Sequence, residues 1–175
     1  MVIHRLRGRV PSINSETFIH ESAQIIGDVR IAKDVSVWPQ AVLRGDDKNF
    51  IEIGEGSNIQ DGCICHVTPD FPLHIGRMVT VGHGAILHAC KIEDGALIGI
   101  GAKVLDGATV RKGAQVGAGA VVPPGRIIPE GALAIGIPAK VVRELTEEEK
   151  NENVHNAMEY IELWKRDYYK EGDEI

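Results

Sequence analysis

The sequence predicts an all-β solenoid, a left-handed parallel β-helix of hexapeptide repeats, followed by a C-terminal α-helix. Three observations predict this fold. Small apolar residues recur every six positions from Ile19 to Ile128, with three breaks in register. Most of them are followed, four positions later, by a small or β-branched residue. The 20 glycines and the aromatic content of 5% suit tight corners around a narrow interior. The longest unbroken run is Ile92, Ile98, Val104, Val110, Val116, Val122 and Ile128.

The six-residue period separates this fold from ordinary elements. The apolar stripe of a helix recurs at three or four residues and that of a half-buried strand at two, so neither sustains a period of six. In a β-helix each hexad supplies one short strand and one corner. Three hexads then close a triangular coil, so one coil spans 18 residues.

The 175 residues, with 43% hydrophobic content, are expected to form one domain with capping elements. Residues 1–17 precede the repeat and are predicted to be an N-terminal cap. The β-helix is predicted over residues 18–142. Residues 143–175 are predicted to be a C-terminal helix that packs on the solenoid, because Thr146 and Glu149 form a capping-box pattern. The predicted apolar stripe of this helix is Val154, Ala157, Met158, Ile161, Trp164 and Tyr168.

The breaks in register predict where loops leave the solenoid. Two of them lengthen a step from six residues to ten, which indicates four-residue insertions around Asp47–Phe50 and Thr68–Phe71. The third shortens a step to five residues, just before Ile92.

Arg44, His66 and His88 are predicted to stack in one column. They stand 22 positions apart, and subtracting the four inserted residues leaves 18, the length of one coil. Each directly follows an inward-pointing residue, so strand alternation turns all three outward on the same face. Adjacent members should lie about 4.8 Å apart, as neighbouring strands do.

His83 is predicted to project from a corner of the preceding face, between Gly82 and Gly84. One chain would therefore struggle to bring His66, His83 and His88 to one ion. Packing three solenoids around a threefold axis would set the His66 and His88 column against the His83 of a neighbour. This arrangement predicts a homotrimer with three metal sites between subunits.

Polar residues near these histidines are candidates for supporting roles. Asn58 and Gln60 flank the inward Ile59 and are predicted to point outward, with Gln60 near His83. Amides beside a metal can orient its bound water without neutralising its charge. The nearby carboxylates are Asp46, Asp47 and Asp61. An arginine can pair bidentately with a carboxylate, so Arg44 is predicted to pair with Asp46, Asp61 or a copy in another subunit and to fix subunit register.

These residues resemble the gamma-class carbonic anhydrase family, in particular its bacterial hexapeptide-repeat members. The resemblance rests on Arg44-Gly-Asp46, on Asn58-Ile-Gln60-Asp61, on His66 and on the segment from His83 to His88. It implies a trimer in which His66 and His88 of one chain and His83 of the next bind Zn²⁺, with Fe²⁺ or Co²⁺ as alternatives. It also implies reversible hydration of carbon dioxide to bicarbonate, with Asn58 and Gln60 near the substrate. Arg44, Asp46 and Asp61 would bridge subunits.

The ligand type fits that chemistry. Three neutral imidazoles leave a cation its full charge and an open position, and zinc in carbonic anhydrases is known to make a bound water acidic near neutral pH in this way. A metal-bound hydroxide would then attack carbon dioxide. Asp47 follows Arg-Gly-Asp, where the family commonly has a glutamate, and is the candidate for removing the proton. Asp70 in the other insertion is the alternative. Tyr160 could reach a neighbouring site or serve in packing.

Composition excludes several other classes. The net charge of −6, without a basic run or a glycine-rich phosphate loop, argues against nucleic acid as a partner. No run of about 18 apolar residues occurs, so no membrane span is expected. Cys63, Cys65 and Cys90 could be thiolate ligands, but Cys63 and Cys65 fall on inward positions and read as core residues. The odd cysteine count and the lack of a signal peptide favour the reducing cytoplasm.

Two other functions remain open from the sequence. Coenzyme A-dependent acyl transfer uses the same solenoid and trimer, but it needs one histidine as a general base rather than three converging ones. A non-enzymatic metal-binding scaffold or assembly subunit would keep the ligands and have little hydration activity.

Overall fold

The computed structural model describes residues 2–168, which form 22 short strands and one helix. Residues 169–175 of the predicted C-terminal segment and Met1 of the predicted cap lie outside the described residues. In chain order the elements are β1 (Val2–His4), β2 (Ser12–Ile13), β3 (Phe18–Ile19), β4 (Gln24–Gly27), β5 (Val29–Ile31), β6 (Ser36–Val37), β7 (Val42–Gly45), β8 (Ile51–Ile53), β9 (Asn58–Ile59), β10 (Ile64–His66), β11 (Leu73–Ile75), β12 (Thr80–Val81), β13 (Ile86–His88), β14 (Lys91–Ile92), β15 (Leu97–Ile98), β16 (Lys103–Val104), β17 (Thr109–Val110), β18 (Gln115–Val116), β19 (Val121–Val122), β20 (Ile127–Ile128), β21 (Ala132–Ile135), β22 (Lys140–Glu144) and α1 (Glu147–Asp167).

Every third strand lies in the same sheet, so three sheets form the three faces of a solenoid. The histidine face consists of β1, β4, β7, β10, β13, β16 and β19, and the helix face of β3, β6, β9, β12, β15, β18, β21 and β22. The third face consists of β2, β5, β8, β11, β14, β17 and β20. All pairings are parallel except the last, between β21 and β22. The predicted parallel β-helix of hexapeptide repeats is confirmed.

The core follows the predicted inward positions. Leu43, Cys65 and Leu87 pair in register on successive coils of the histidine face, and all three are fully buried. Burial of a Leu or Ile side chain contributes roughly 1.5–3 kcal/mol, so the stacked interior holds the coils in register. The insertions also lie where the register breaks predicted them, between β7 and β8 and between β10 and β11.

The N-terminal boundary differs from the prediction. β1 pairs in parallel with β4, and β2 pairs with β5, so residues 2–13 already belong to the histidine face and the third face. We predicted a cap of residues 1–17 and a solenoid that begins at residue 18. In these sheets, strands of the solenoid already begin within the predicted cap. A turn in which Leu6 and Arg9 exchange backbone hydrogen bonds interrupts the six-residue count and hides this first coil from the sequence pattern.

The solenoid ends when β22 folds back antiparallel on β21, and α1 follows. Thr146 is the N-cap of α1: the Glu149 N–H donates to Thr146 Oγ1 at 3.2 Å, and the Thr146 N–H donates to Glu149 Oε2 at 2.9 Å. The predicted capping box is therefore confirmed. Three glutamates in the first turn and Lys165 and Arg166 in the last turn complement the helix dipole.

α1 lies against the helix face, where it contacts β6 and β12. Its buried residues are Asn153, Ala157 and Trp164. Met158 and Tyr168 of the predicted apolar stripe are 47% and 49% exposed, so the stripe was only partly right. The buried Asn153 enters the contact because its side-chain N–H donates to the Gly113 carbonyl at 3.3 Å. Within residues 2–168, no helix has the length and apolar character needed to span a membrane.

Candidate metal centre

The predicted column of Arg44, His66 and His88 is present. His66 pairs in register with Arg44 on β7 and with His88 on β13. The ring centroids of His66 and His88 are 5.1 Å apart and the rings are tilted by 49°. Counting residues around the coil therefore placed the two imidazoles correctly side by side.

The nitrogen atoms of this pair are arranged in a way that suits a cation. His66 Nδ1 lies 3.1 Å from His88 Nε2. The remaining nitrogens contact carboxylates: His66 Nε2 lies 3.0 Å from Asp46 Oδ1, and His88 Nδ1 lies 2.5 Å from Asp106 Oδ1. An ionised carboxylate can only accept, so these outer nitrogens carry the hydrogens and donate. When both rings are neutral, the two facing nitrogens each keep a lone pair that can bind a cation, whereas protonation of one ring joins them by an N–H···N hydrogen bond.

The spacing also fits a metal ion. Two nitrogens that each bind a tetrahedral zinc ion at 2.0–2.1 Å lie about 3.3 Å apart, close to the observed separation. Neutral imidazole is a common ligand for zinc and also for iron. The residues present therefore fit a divalent transition metal.

His83 lies at the corner between β12 and β13, as predicted. Both flanking glycines are required there. A Cβ on Gly82 would come within 2.9 Å of the backbone of Ile98 and Ile100, and Gly84 has φ +66°, where other residues are strained. His83 Nδ1 lies 2.8 Å from Asp61 Oδ2, and the imidazole side chain is 47% exposed.

One chain does not bring the three histidines together. Across residues 2–168, no group of three or more His, Cys, Asp or Glu side chains is arranged to hold a metal ion. His66, His83 and His88 therefore do not form a three-ligand group within the described part of one chain.

Asn58 and Gln60 lie near His83, but they are buried rather than exposed. Their exposed fractions are 0% and 5%. The Gln60 Nε2 donates to Asn58 Oδ1 at 3.1 Å, and Gln60 Oε1 accepts from the His83 backbone N–H at 3.1 Å. The Asn58 Nδ2 donates to Thr80 Oγ1 at 2.9 Å, and the Thr80 hydroxyl donates to Asn156 Oδ1 at 3.4 Å. A hydrogen-bonded chain therefore connects α1 to the His83 corner.

Tyr160 borders a cavity beside this chain. The cavity has a volume of about 410 Å³ and includes Gln60, His83 and Asn156 in its lining. The Tyr160 ring packs edge-on against Trp38 with 5.3 Å between centroids, so it has a packing contact as well. Burial raises the pKa of its hydroxyl, and the negative charge of Asp61 raises it further. A larger groove of about 550 Å³ on another part of α1 contains none of the predicted site residues.

Arg44 pairs with Asp46 through one nitrogen, not bidentately. Its Nη1 donates to Asp46 Oδ2 at 2.5 Å, while Asp61 contacts His83 instead. Partial burial raises the pKa of Asp46, but the hydrogen bonds from Arg44 and His66 outweigh it, so the pKa lies below its usual value. Asp46 is therefore a stable anion between the arginine and the histidine.

The two insertion loops are fastened to each other and to the first coil. The Arg9 guanidinium donates to the backbone carbonyls of Asp47 and Asn49, and the Asn49 side chain donates to the Thr68 carbonyl at 2.8 Å. Asp47 Oδ1 accepts from the Lys48 N–H at 2.8 Å, so this carboxylate is held within its own loop. Asp70 is exposed on the second loop.

The sequence reading missed Asp106, the carboxylate on His88. Asp106 stands 18 positions after His88, but the strands pair here with a register of 17 residues, as Leu87 with Val104, so counting whole coils does not lead to it. Thr80 and Asn156 were also missed. Thr80 stands 22 positions after Asn58, the same count as in the column, and pairs with it in register, whereas Asn156 lies on α1, outside the repeat.

The cysteines do not belong to this centre. Cys63, Cys65 and Cys90 are free and buried, as predicted for Cys63 and Cys65. Burial raises the pKa of the Cys63 thiol to about 12 and raises the pKa of the other two well above the usual value. Neutral thiols in the core are poor metal ligands.

Proteins with similar sequences carry carbonic anhydrase names. A "Probable carbonic anhydrase" of Methanocaldococcus jannaschii is 52% identical over 86% of this chain and 94% of its own length. A "Carbonic anhydrase" of Geobacillus kaustophilus is 47% identical over 97% of this chain and 91% of its own. "Gamma carbonic anhydrase 2, mitochondrial" of Arabidopsis thaliana is 44% identical over 87% of this chain, which spans 57% of that longer protein.

Two solved structures share the architecture closely. A putative acetyltransferase of Bacillus cereus superposes with a TM-score of 0.90 at 42% identity, covering 93% of this chain and 94% of that one. A hexapeptide transferase family protein of Anaplasma phagocytophilum has the same TM-score and identity, with coverages of 94% and 96%. No protein-family model matches the chain. The curated relatives cover most of the chain at well over 30% identity, and the chain belongs to the gamma-class carbonic anhydrase family.

Proposed function

We propose that this protein is a carbonic anhydrase, a lyase that reversibly hydrates carbon dioxide to bicarbonate at a divalent metal site between subunits of a homotrimer. The observation that carries the proposal is the His66 and His88 pair. Their facing nitrogens are 3.1 Å apart, and each ring donates its other N–H to a carboxylate. The names of the Methanocaldococcus and Geobacillus relatives support the same reaction.

The position of His83 supports a site completed by a second chain. His83 is exposed on a corner, and two large apolar side chains near the histidines are exposed with it. Ile64 shares the outward side of β10 with His66 and is 46% exposed, and Ile100, on the coil next to His83, is 59% exposed. A subunit packed against this side of the solenoid would cover both side chains. A threefold arrangement would cover them and supply His83 from the neighbouring chain.

The metal, when bound, supplies Lewis-acid chemistry that activates water, as zinc is known to do in carbonic anhydrases; Zn²⁺ is our first choice and Fe²⁺ or Co²⁺ the alternatives. The chain provides the rest. Asp46 contacts His66, and Asp106 contacts His88. Gln60 and Asn58 form a buried amide pair beside the His83 corner, where they can orient water and carbon dioxide.

We assign proton removal to Asp47. It directly follows Asp46, which contacts His66, and it lies on a half-buried loop at the edge of the site. Asp70 is exposed on the second loop, which Asn49 ties to the first, and is the second candidate. Tyr160 lines the cavity beside His83, where its hydroxyl could contribute a hydrogen bond.

The test is stopped-flow measurement of carbon dioxide hydration on protein loaded anaerobically with zinc or iron, with metal content determined on the same sample. We expect activity that requires metal and is lost in His88→Ala. His74→Ala is the matched control, because His74 is also an outward histidine with a carboxylate partner, Glu52 at 3.0 Å, but lies on the third face. Equal loss in both variants would reject the assignment of the site.

Acyl transfer is the second candidate, because the Bacillus cereus structure of the same fold carries an acetyltransferase title. Acetyl-coenzyme A binding, measured by calorimetry on the same preparation, separates the two functions. Binding of acetyl-coenzyme A without metal-dependent hydration would favour the transferase. Stoichiometric metal with neither activity would favour a scaffold role.

We also propose a reducing compartment such as the cytoplasm. The support is the set of three free, buried thiols.

A further inference from the structure

Asp106 holds His88 from the coil that follows it. Its Oδ1 lies 2.5 Å from His88 Nδ1, with the carboxylate 42% exposed and the imidazole 34% exposed. His88 is the only side-chain partner of Asp106 within residues 2–168. Asp46 is different, because it shares its charge between His66 and Arg44.

This contact decides which nitrogen of His88 is free. A neutral imidazole carries one hydrogen, on either ring nitrogen, and the partner of one nitrogen selects the tautomer. Because the carboxylate only accepts, Asp106 selects the form with hydrogen on Nδ1. The lone pair is then on Nε2, the nitrogen that faces His66.

We propose that Asp106 is the positioning residue of His88, fixing its ring orientation and its Nδ1–H tautomer so that Nε2 is presented to a divalent metal. This inference rests on the proposed function, since it assigns His88 as a ligand. With Asp46 on His66 and Asp61 on His83, it gives each of the three histidines one carboxylate partner. Such partners fix ligand orientation and raise ligand basicity.

The chain offers a matched control in Asp94. Asp94 and Asp106 both precede a corner glycine of nearly identical conformation, φ +67° at Gly95 and +66° at Gly107. Their side chains are similarly exposed, at 41% and 42%. Asp94 pairs with Arg77 instead of a histidine, so Asp94→Asn removes a corner carboxylate without touching His88.

The first measurement is zinc affinity by chelator competition on folded, trimer-checked protein. We expect Asp106→Ala to lose about 10–100-fold in affinity. Asp106→Asn should lose less, because its amide oxygen still accepts from Nδ1–H although the charge is gone. Asp94→Asn should match the wild type. An Asp106→Ala affinity equal to that of Asp94→Asn would overturn the inference.

The second measurement is independent of metal binding. Nitrogen-15 NMR of histidine-labelled, metal-free protein reports the tautomer of each ring. The wild type should show His88 with hydrogen on Nδ1, and Asp106→Ala should shift it toward the other tautomer or a mixture. If the wild type bound no zinc, the proposed function would be rejected. The NMR spectrum would still show whether Asp106 determines the tautomer of His88. An unchanged His88 tautomer in Asp106→Ala, in a wild type that does bind zinc, would refute the positioning role alone.

Discussion

Gln60 Oε1 accepts a hydrogen bond from the backbone N–H of His83, while its Nε2 donates to Asn58. One buried side chain thus joins the corner that presents a predicted ligand to the amide beneath α1. We therefore expect a change at Gln60 to affect both the packing under α1 and the position of the His83 corner.

Gln60→Ala should lower stability and carbon dioxide hydration together. It leaves the His83 N–H and Asn58 Oδ1 without these partners, and an unsatisfied buried polar group costs about 1–3 kcal/mol. Urea unfolding measures the first effect and stopped flow the second. Gln115→Ala, a half-buried glutamine on the same face, is the stability control and should change little. Equal losses of unfolding free energy in both variants would show that the buried hydrogen bonds of Gln60 do not contribute to stability.

His83→Ala should abolish metal binding and leave the solenoid folded, because the residue is an exposed corner. Mixing it with His66→Ala under subunit exchange tests whether ligands come from different chains. Every mixed trimer then has one junction with an intact ligand set, so a random equal mixture should regain about a quarter of the wild-type metal. Metal analysis after native separation gives the number. No metal in verified mixed trimers would rule out sharing between chains.

The buried cysteines predict a loss of stability at high pH. Burial holds the pKa of Cys63 at about 12, against an ordinary value of 9.0, and raises those of Cys65 and Cys90 as well. The folded thiols stay neutral while unfolded ones ionise, so the stabilisation is complete below about pH 9 and is lost as the pH rises toward 12. Urea midpoints from pH 7 to pH 10.5 measure this slope. A variant with all three cysteines changed to Ala should show a shallower slope, and an identical one would be evidence against the cysteines as its source.

The capping box predicts a separate stability effect at α1. Thr146→Ala should cost about 1 kcal/mol, because the Glu149 N–H loses its acceptor. Thr146→Ser keeps the oxygen and serves as the control.

The Arg143 guanidinium and the capping contacts hold the pKa of Glu149 at about 2. The contribution of the ionised Glu149 to stability is therefore present above about pH 4.5 and is lost as the pH falls toward 2. Hydrogen exchange of the first helical turn monitors both effects, and a Thr146→Ser variant as unstable as Thr146→Ala would dismiss the side-chain oxygen as the cause.

The repeat made the histidine column predictable, because position along a coil fixes the direction of a side chain. Counting therefore placed Arg44, His66 and His88 on one face and His83 on a corner. It could not show that Asn58 and Gln60 are buried, since that depends on how α1 packs on the solenoid.

The Leu6–Arg9 turn breaks the count and concealed the first coil. Asp106 was hidden by the step of five residues before Ile92. Because of that step, β13 pairs with residues 17 positions later in β16, as Leu87 does with Val104. Asp106 lies two residues after the end of β16.

Arg9 and Asn49 connect distant stretches of the sequence through hydrogen bonds to the insertion loops. The loop that follows Asp46 takes its shape from a guanidinium about forty residues earlier and is fastened to the next loop by an amide. A change confined to the first coil would therefore loosen the rim beside His66 without touching any histidine, so the N-terminal strands contribute to the geometry of the site as well as to closing the end of the β-helix.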